Sequence, residues 1–313
     1  MPTTFDKYAV LTERTNSILR TKENAVISTL NKSLSASFDL LELNLRRVYP
    51  SDVSAVSILN RQATAAALLS QVKAAMQVVN PAQALEYQKV LSNLLSETQD
   101  LAIVNGHKSL DIFEQGIATF APRIPIEVAA SAAEQAINRL EKHGKDFASA
   151  AAVTITQGIL QRWSIDQTLR ALRSSQDIAR ANAEMIVRTE TLSAYNIAAV
   201  AMYQENGVEY VIRYATADDR VCVVCAGRAG EITAIGKEQA TLHPRCRCYF
   251  APFKKQWVKA GVFDLGALDT FAEQVRASHP TPEKLNGNGL SSFEKLAGMT
   301  QRGAVYRRVQ VEN

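Results

Sequence analysis

All four cysteines of this 313-residue chain, Cys222, Cys225, Cys246 and Cys248, fall within 27 positions, together with His243, one of only four histidines. Cys222-Val-Val-Cys225 has the two-residue spacing that lets both sulfurs meet one metal ion in a tight turn. His243-Pro-Arg-Cys246 repeats that spacing with an imidazole and a thiol. In an extended Arg-Cys-Arg-Cys segment, Cys246 and Cys248 project to one face, because strand side chains alternate. Five candidate ligands thus compete for four tetrahedral positions. The expected occupant is Zn²⁺ held by Cys222, Cys225 and Cys246, with His243 or Cys248 as the fourth ligand. The competing reading is four free thiols, or two disulfides formed after lysis, because C-x-x-C followed by C-x-C is less diagnostic than two C-x-x-C knuckles.

Such a site is expected to be structural, with no catalytic residue. Four N/S ligands close the coordination sphere and leave no place for an activated water. No H-x-E element stands near the C-x-x-C, so a zinc deaminase is disfavoured. Metal binding would act as folding energy for a small sheet with little core of its own. Arg245 and Arg247 interleave the second knuckle. They read either as contacts to phosphate or a carboxylate-bearing partner, or as partners of Asp219 that lock the turn.

The elements that position these residues follow from period and punctuation. Val208–Thr216 alternates with β-branched and aromatic residues and reads as a strand. Arg247–Phe253 reads as a second, antiparallel to the first, so that the pair closes the cluster between them. Upstream the pattern is helical. One long helix is expected from Thr3 to Arg47, stopped at Pro50. A second follows to about Val79. Asn80-Pro81 reads as the start of a third, ended near Val104 by Asn105-Gly106. His107, just beyond, is expected at the surface. A short fourth helix ends before Ala121–Pro125. Helices are then expected over Glu127–His143 and Lys145–Trp163. Ser164-Ile-Asp-Gln167 fits a capping box, opening a short helix before a longer one over Ser175–Glu205, terminated by Gly207. Phe263–Ala277 reads as a helix, Ser278–Leu290 as a linker, and the basic end as an extended arm.

The fold class is therefore mainly α with a small α+β module: long N-terminal helices, then a helical domain carrying a short antiparallel sheet and a zinc-knuckle-like Cys/His cluster. The expected division is a long-helix interaction region over 1–120, the Cys/His module over 121–253 and a C-terminal extension over 254–313. The chain is 47% hydrophobic and 21% charged, with net charge +4. It is ordinary globular material, too weakly basic to identify an anionic partner. The N-terminus has no basic segment followed by an apolar one, so no signal peptide is expected. Apolar runs such as Ala148–Ile155 are too short to span a bilayer, so no membrane contact is expected. A reducing cytosol is the expected place of synthesis, where clustered cysteines are more often ligands than disulfides.

Taken in order, Arg188-Thr189-Glu190-Thr191, Ala194-Tyr195-Asn196, a strand, Asp219-Arg220-Val221-Cys222-Val-Val-Cys225, Gly230 and His243-Pro-Arg-Cys246-Arg-Cys248 resemble the phage Mu protein F-like head morphogenesis family. The resemblance covers about 126–253. Tyr214 stands where that pattern carries a tryptophan. It implies a minor head protein of a tailed bacteriophage, resident in the virion, near the portal vertex or capsid interior. Its implied partners are the portal protein or major capsid protein, with weak non-specific contact to packaged DNA, and its implied role is head assembly and DNA packaging or delivery. Arg188, Glu190 and Asn196 are expected to hydrogen-bond to the cysteine module and not to catalyse, since residues two apart on a helix do not share a face. The alternative is a zinc-stabilised nucleic-acid-binding protein or a toxin-like nuclease.

Overall fold

The computed structural model describes residues 4–49, 58–114, 138–139, 142, 149–218 and 221–278. Its long helices are α1 (Thr4–Val48), α2 (Ile58–Glu114) and α4 (Ile165–Glu205), with α3 represented by helical residues 149–160. Then follow β1 (Tyr210–Tyr214), the single turn α5 (Val223–Gly227), β2 (Ile232–Ala234), β3 (Tyr249–Phe253), α6 (Lys255–Lys259) and α7 (Leu265–Ser278). The mainly α architecture with a small antiparallel sheet is the one expected. The segments 115–137 and 279–313, with Ala121–Pro125, most of Glu127–His143, the linker and the C-terminal arm, lie outside the described residues, as does Pro50.

α1 matches the expected helix to within a residue at each end. α2 does not. It runs unbroken through Asn80-Pro81 and Asn105-Gly106, where breaks were expected. Gly106 serves close approach instead of termination: a Cβ there would fall on Met202 Cε. Asn105 is buried within the helix and donates from Nδ2 to Thr15 Oγ1 (2.8 Å). Its polar side chain is satisfied by tertiary contact, so it has no need of a turn. His107 is consequently inside α2 and half-buried, not a surface residue beyond a helix end.

The capping box forms as expected: Ser164 N–H donates to Gln167 Oε1 (2.7 Å) and Gln167 N–H to Ser164 Oγ (3.2 Å). The helix it opens does not stop before Ser175 but continues as α4 to Glu205. Gly207, at φ +68°, ends it, and Val208 N–H returns to Tyr203 O (3.0 Å).

The chain forms two compact units. One takes its described residues from 22–94 and 130–188. Its cores are built by Phe38, Leu41, Leu45, Ile155, Ile159 and Leu172, and by Val26, Leu30, Leu91 and Val187. Tyr49 Oη and Thr168 Oγ1 share a hydrogen bond (2.8 Å) in its interior.

The other unit takes its described residues from 1–21, 95–129 and 189–313 and contains the sheet. Strand order is β2-β1-β3, all antiparallel, with Tyr210 opposite Phe253 and Tyr214 opposite Tyr249. The β1–β3 pairing was expected. β2, three residues long, was not, since no alternation is legible in Ile-Thr-Ala. Nor does β1 show a solvent face: Val211, Ile212, Arg213 and Tyr214 are all buried. The start of α1 and the end of α2 lie in this same core, where Phe5 stacks on Phe271 (5.8 Å between centroids) and Phe113 on Trp257 (5.7 Å). Tyr8 Oη and Tyr203 Oη both donate to Phe250 O, at 2.7 and 3.2 Å. Lys254 Nζ and Glu114 form a largely buried ion pair (2.6 Å). The sheet thus has an aromatic core of its own, contrary to the expectation that it had little.

Candidate metal centre

Cys222 is the N-cap of α5. Its Sγ accepts from Cys225 N–H (3.4 Å), and its carbonyl from Ala226 N–H (2.9 Å). The cap turns both sulfurs of the first knuckle inward. The second knuckle is closed by Cys246 N–H donating to His243 O (3.1 Å). Arg245, third in that turn behind Pro244, sits at φ +60°. A positive φ behind a proline is what a type II turn demands, a position that usually carries Gly or Asn. Arg245 N–H then donates to Thr189 Oγ1 (3.0 Å).

The five sequence-predicted residues converge. Cys222 Sγ and Cys225 Sγ lie 3.0 and 3.1 Å from His243 Nε2, and Cys225 Sγ lies 3.8 Å from Cys246 Sγ. Two overlapping triads result, Cys222–Cys225–His243 and Cys225–Cys246–Cys248, with Cys225 common to both and ligand atoms within 4.8 Å. All four cysteines are free thiols. With Zn–S bonds of about 2.3 Å, a tetrahedron has S···S edges of about 3.8 Å. The Cys225–Cys246 separation meets that value. The sulfur–nitrogen distances are about half an ångström shorter than a zinc tetrahedron's edge. Nδ1 of His243 lies 2.7 Å from Pro244 O, so it carries the proton there and leaves Nε2 to face the sulfurs.

The electrostatics also suit a cation. The Cys225 hydrogen bond, with His243 assisting, pulls the Cys222 thiol down to about 4. The Cys222 partner pushes His243 up to about 9. Cys246 is lowered by Cys225 and Cys248, whereas Cys225 is raised by Cys222, Cys246 and Cys248 around it. Cys225 draws Cys248 down, but Cys246 and burial together push it up to about 12. These thiols cannot all ionise together, since like charges a few ångströms apart repel strongly. A divalent cation removes that conflict.

Of the three residues expected to tie α4 to the module, Asn196 does so. Its Nδ2 donates to Cys248 O (2.9 Å) and to Ala240 O (2.7 Å). Arg188 does not. It pairs with Glu184 (2.9 Å) and approaches Glu23 (3.9 Å) instead. Glu190 is buried, at 6% exposure. Thr189, inside the same motif, was overlooked as a capping group for the second knuckle. No local signal marks it, because the turn it caps lies 56 positions further along the chain. Arg247 is locked by an acid, as expected for a structural arginine, but the acid is Asp218 (2.7 Å to each oxygen). Asp219, the expected partner, lies outside the described residues.

A short three-stranded sheet, two Cys/His knuckles pinned to a long helix and helix segments packed into the same aromatic core define a Cys/His-stapled α+β module. Residues 150–251, about a third of the chain, match the family model described as Phage Mu protein F like protein. The matched stretch contains the Arg-Thr-Glu-Thr helix and both knuckles, so the resemblance drawn from those motifs holds over that stretch. No curated protein and no solved structure matches the chain. Among the described residues no helix is long and apolar enough to cross a membrane.

Proposed function

We propose that the chain is a minor head protein of a tailed bacteriophage that joins the portal or major capsid protein during head assembly and DNA packaging, with Zn²⁺ as a structural staple and no turnover. The observation that supports this is the coincidence of the family match over 150–251 with the converging ligand set at Cys222, Cys225, His243, Cys246 and Cys248. The donor set of soft thiolates and imidazole at tetrahedral spacing suits zinc over oxygen-loving cations. The nucleic-acid alternative relied on Arg245 and Arg247 reaching phosphate. Both terminal nitrogens of Arg247 are taken by Asp218.

The test is to purify precursor heads and mature particles, assay them for the chain by mass spectrometry, and cross-link them. The expected outcome is the chain in few copies, cross-linked to portal or capsid protein. Absence from both particle types would overturn the assignment. Metal analysis of the same chain should return about one zinc per molecule, as four protein ligands saturate one ion.

A further inference from the structure

Arg213 is the fourth of the five residues of β1, the central strand, and is 2% exposed. A buried guanidinium needs an anion, because removing a charge from water costs several kcal/mol in practice. Arg213 Nη2 donates to Gln239 O (2.7 Å), a neutral carbonyl. Its guanidinium carbon stands 4.8 Å over the Phe250 ring. Nη1 is buried and has no hydrogen-bond partner. Among the described residues no carboxylate pairs with it. The two other arginines that feel this cluster differ. Arg247 is neutralised by Asp218, and Arg228 by Glu231 (3.0 Å). In the β1–β3 register Arg213 faces Phe250, two residues past Cys248, which is 1% exposed. Three thiolates around one divalent cation leave one net negative charge, and four leave two. The anion that Arg213 lacks among carboxylates is the one a metal–thiolate centre would supply.

We infer that Arg213 is the internal counter-cation of a net-anionic metal–thiolate centre built from Cys222, Cys225, Cys246 and Cys248, a positioning residue that supports metal binding there. This rests on the metal reading above. The aromatic face and the carbonyl hold the guanidinium without neutralising it, so its charge remains available to the sulfurs.

The full chain is purified with zinc, and its affinity is measured by competition with a chromophoric chelator. Cobalt(II) replaces zinc in a second set, where sulfur-to-cobalt charge-transfer bands report how many thiolates bind. Arg213→Gln is expected to weaken zinc binding about 10- to 100-fold, the usual loss when a group supporting the ligands is removed, and to diminish the charge-transfer bands. Arg213→Lys, which keeps the charge and loses the planar fork, is expected to recover most of the affinity. Glu238→Gln removes the carboxylate beside Gln239, whose Oε2 is also buried without a partner, and should leave affinity unchanged. Three results would overturn the inference: R213Q binding zinc like the parent chain, R213K no better than R213Q (including failure of both to fold), or E238Q losing as much as R213Q. If the parent chain itself holds no zinc, the metal reading falls with it. If the parent holds zinc and R213Q does too, only the role of Arg213 falls.

Discussion

Arg245 occupies a backbone conformation that its side chain does not favour. At φ +60° the Cβ of an L-residue crowds the following carbonyl, at a cost of roughly 1–2 kcal/mol. The turn tolerates it because His243 and Cys246 must both face the cluster, and Thr189 satisfies the Arg245 N–H. Glycine carries no such penalty, so Arg245→Gly is expected to raise the stability of the metal-loaded chain by about 1 kcal/mol, read as a higher denaturation midpoint at unchanged slope. Arg245→Val, β-branched, is expected to lower it by at least as much. If the two variants unfold at the same midpoint, backbone strain at this position is not the determinant. The five ligands were legible from spacing alone. Which of them stand closest together was not. That depends on the cap at Cys222 and on the left-handed residue, and neither leaves a mark in residue type: arginine at φ +60° breaks the usual correspondence between glycine and a type II turn.

Helices in this chain are held by small residues placed where other groups must come close. Gly158, in α3, is the clearest case. A Cβ there would lie 2.5 Å from Thr168 Oγ1 and 3.1 Å from Tyr49 Oη, the pair that share a buried hydrogen bond. In an exposed helix Gly→Ala adds up to about 1 kcal/mol of stability. Here Gly158→Ala is expected to lose about 1–3 kcal/mol, because the hydroxyl pair must separate or the helix must move. Thermal unfolding decides between the two signs, and a stabilised G158A would show that the pair relaxes freely. The same logic explains why α2 was misjudged. Asn80-Pro81 reads as a helix start and Asn105-Gly106 as a helix stop in an isolated peptide. At the second pair, a buried partner for Asn105 and the approach of Met202 to Gly106 keep the helix running. Local signals were reliable where local chemistry decides, as at the Ser164–Gln167 capping box and the Gly207 terminus. They failed where tertiary contacts decide.

At the scale of the molecule, the unit with the sheet rests on two supports, an aromatic core and the Cys/His cluster. Phe5, Tyr8 and Phe113 from the helical first third join Phe250, Trp257 and Phe271 in that core. Metal would add to it by binding the folded state alone, at about 4.1 kcal/mol when free metal is a thousand times Kd. The chain has two tryptophans, Trp163 and Trp257, so a Trp163→Phe variant isolates the fluorescence of buried Trp257. Chelator is expected to move the Trp257 unfolding transition to lower denaturant without abolishing it, since the aromatic core remains. An unshifted transition would show that the cluster adds nothing to stability. By itself the sequence determined the helical class, the β1–β3 pairing, the five candidate ligands and the family motifs, because each is written in spacing of one to four residues or in fixed motif order. The tertiary structure alone decided that both ends of the described chain share a core with the sheet, that Asp218 locks Arg247, and that Arg213 is buried against Phe250 with no carboxylate partner among the described residues. Those facts depend on which distant surfaces meet, and residue type limits that choice without selecting among its outcomes.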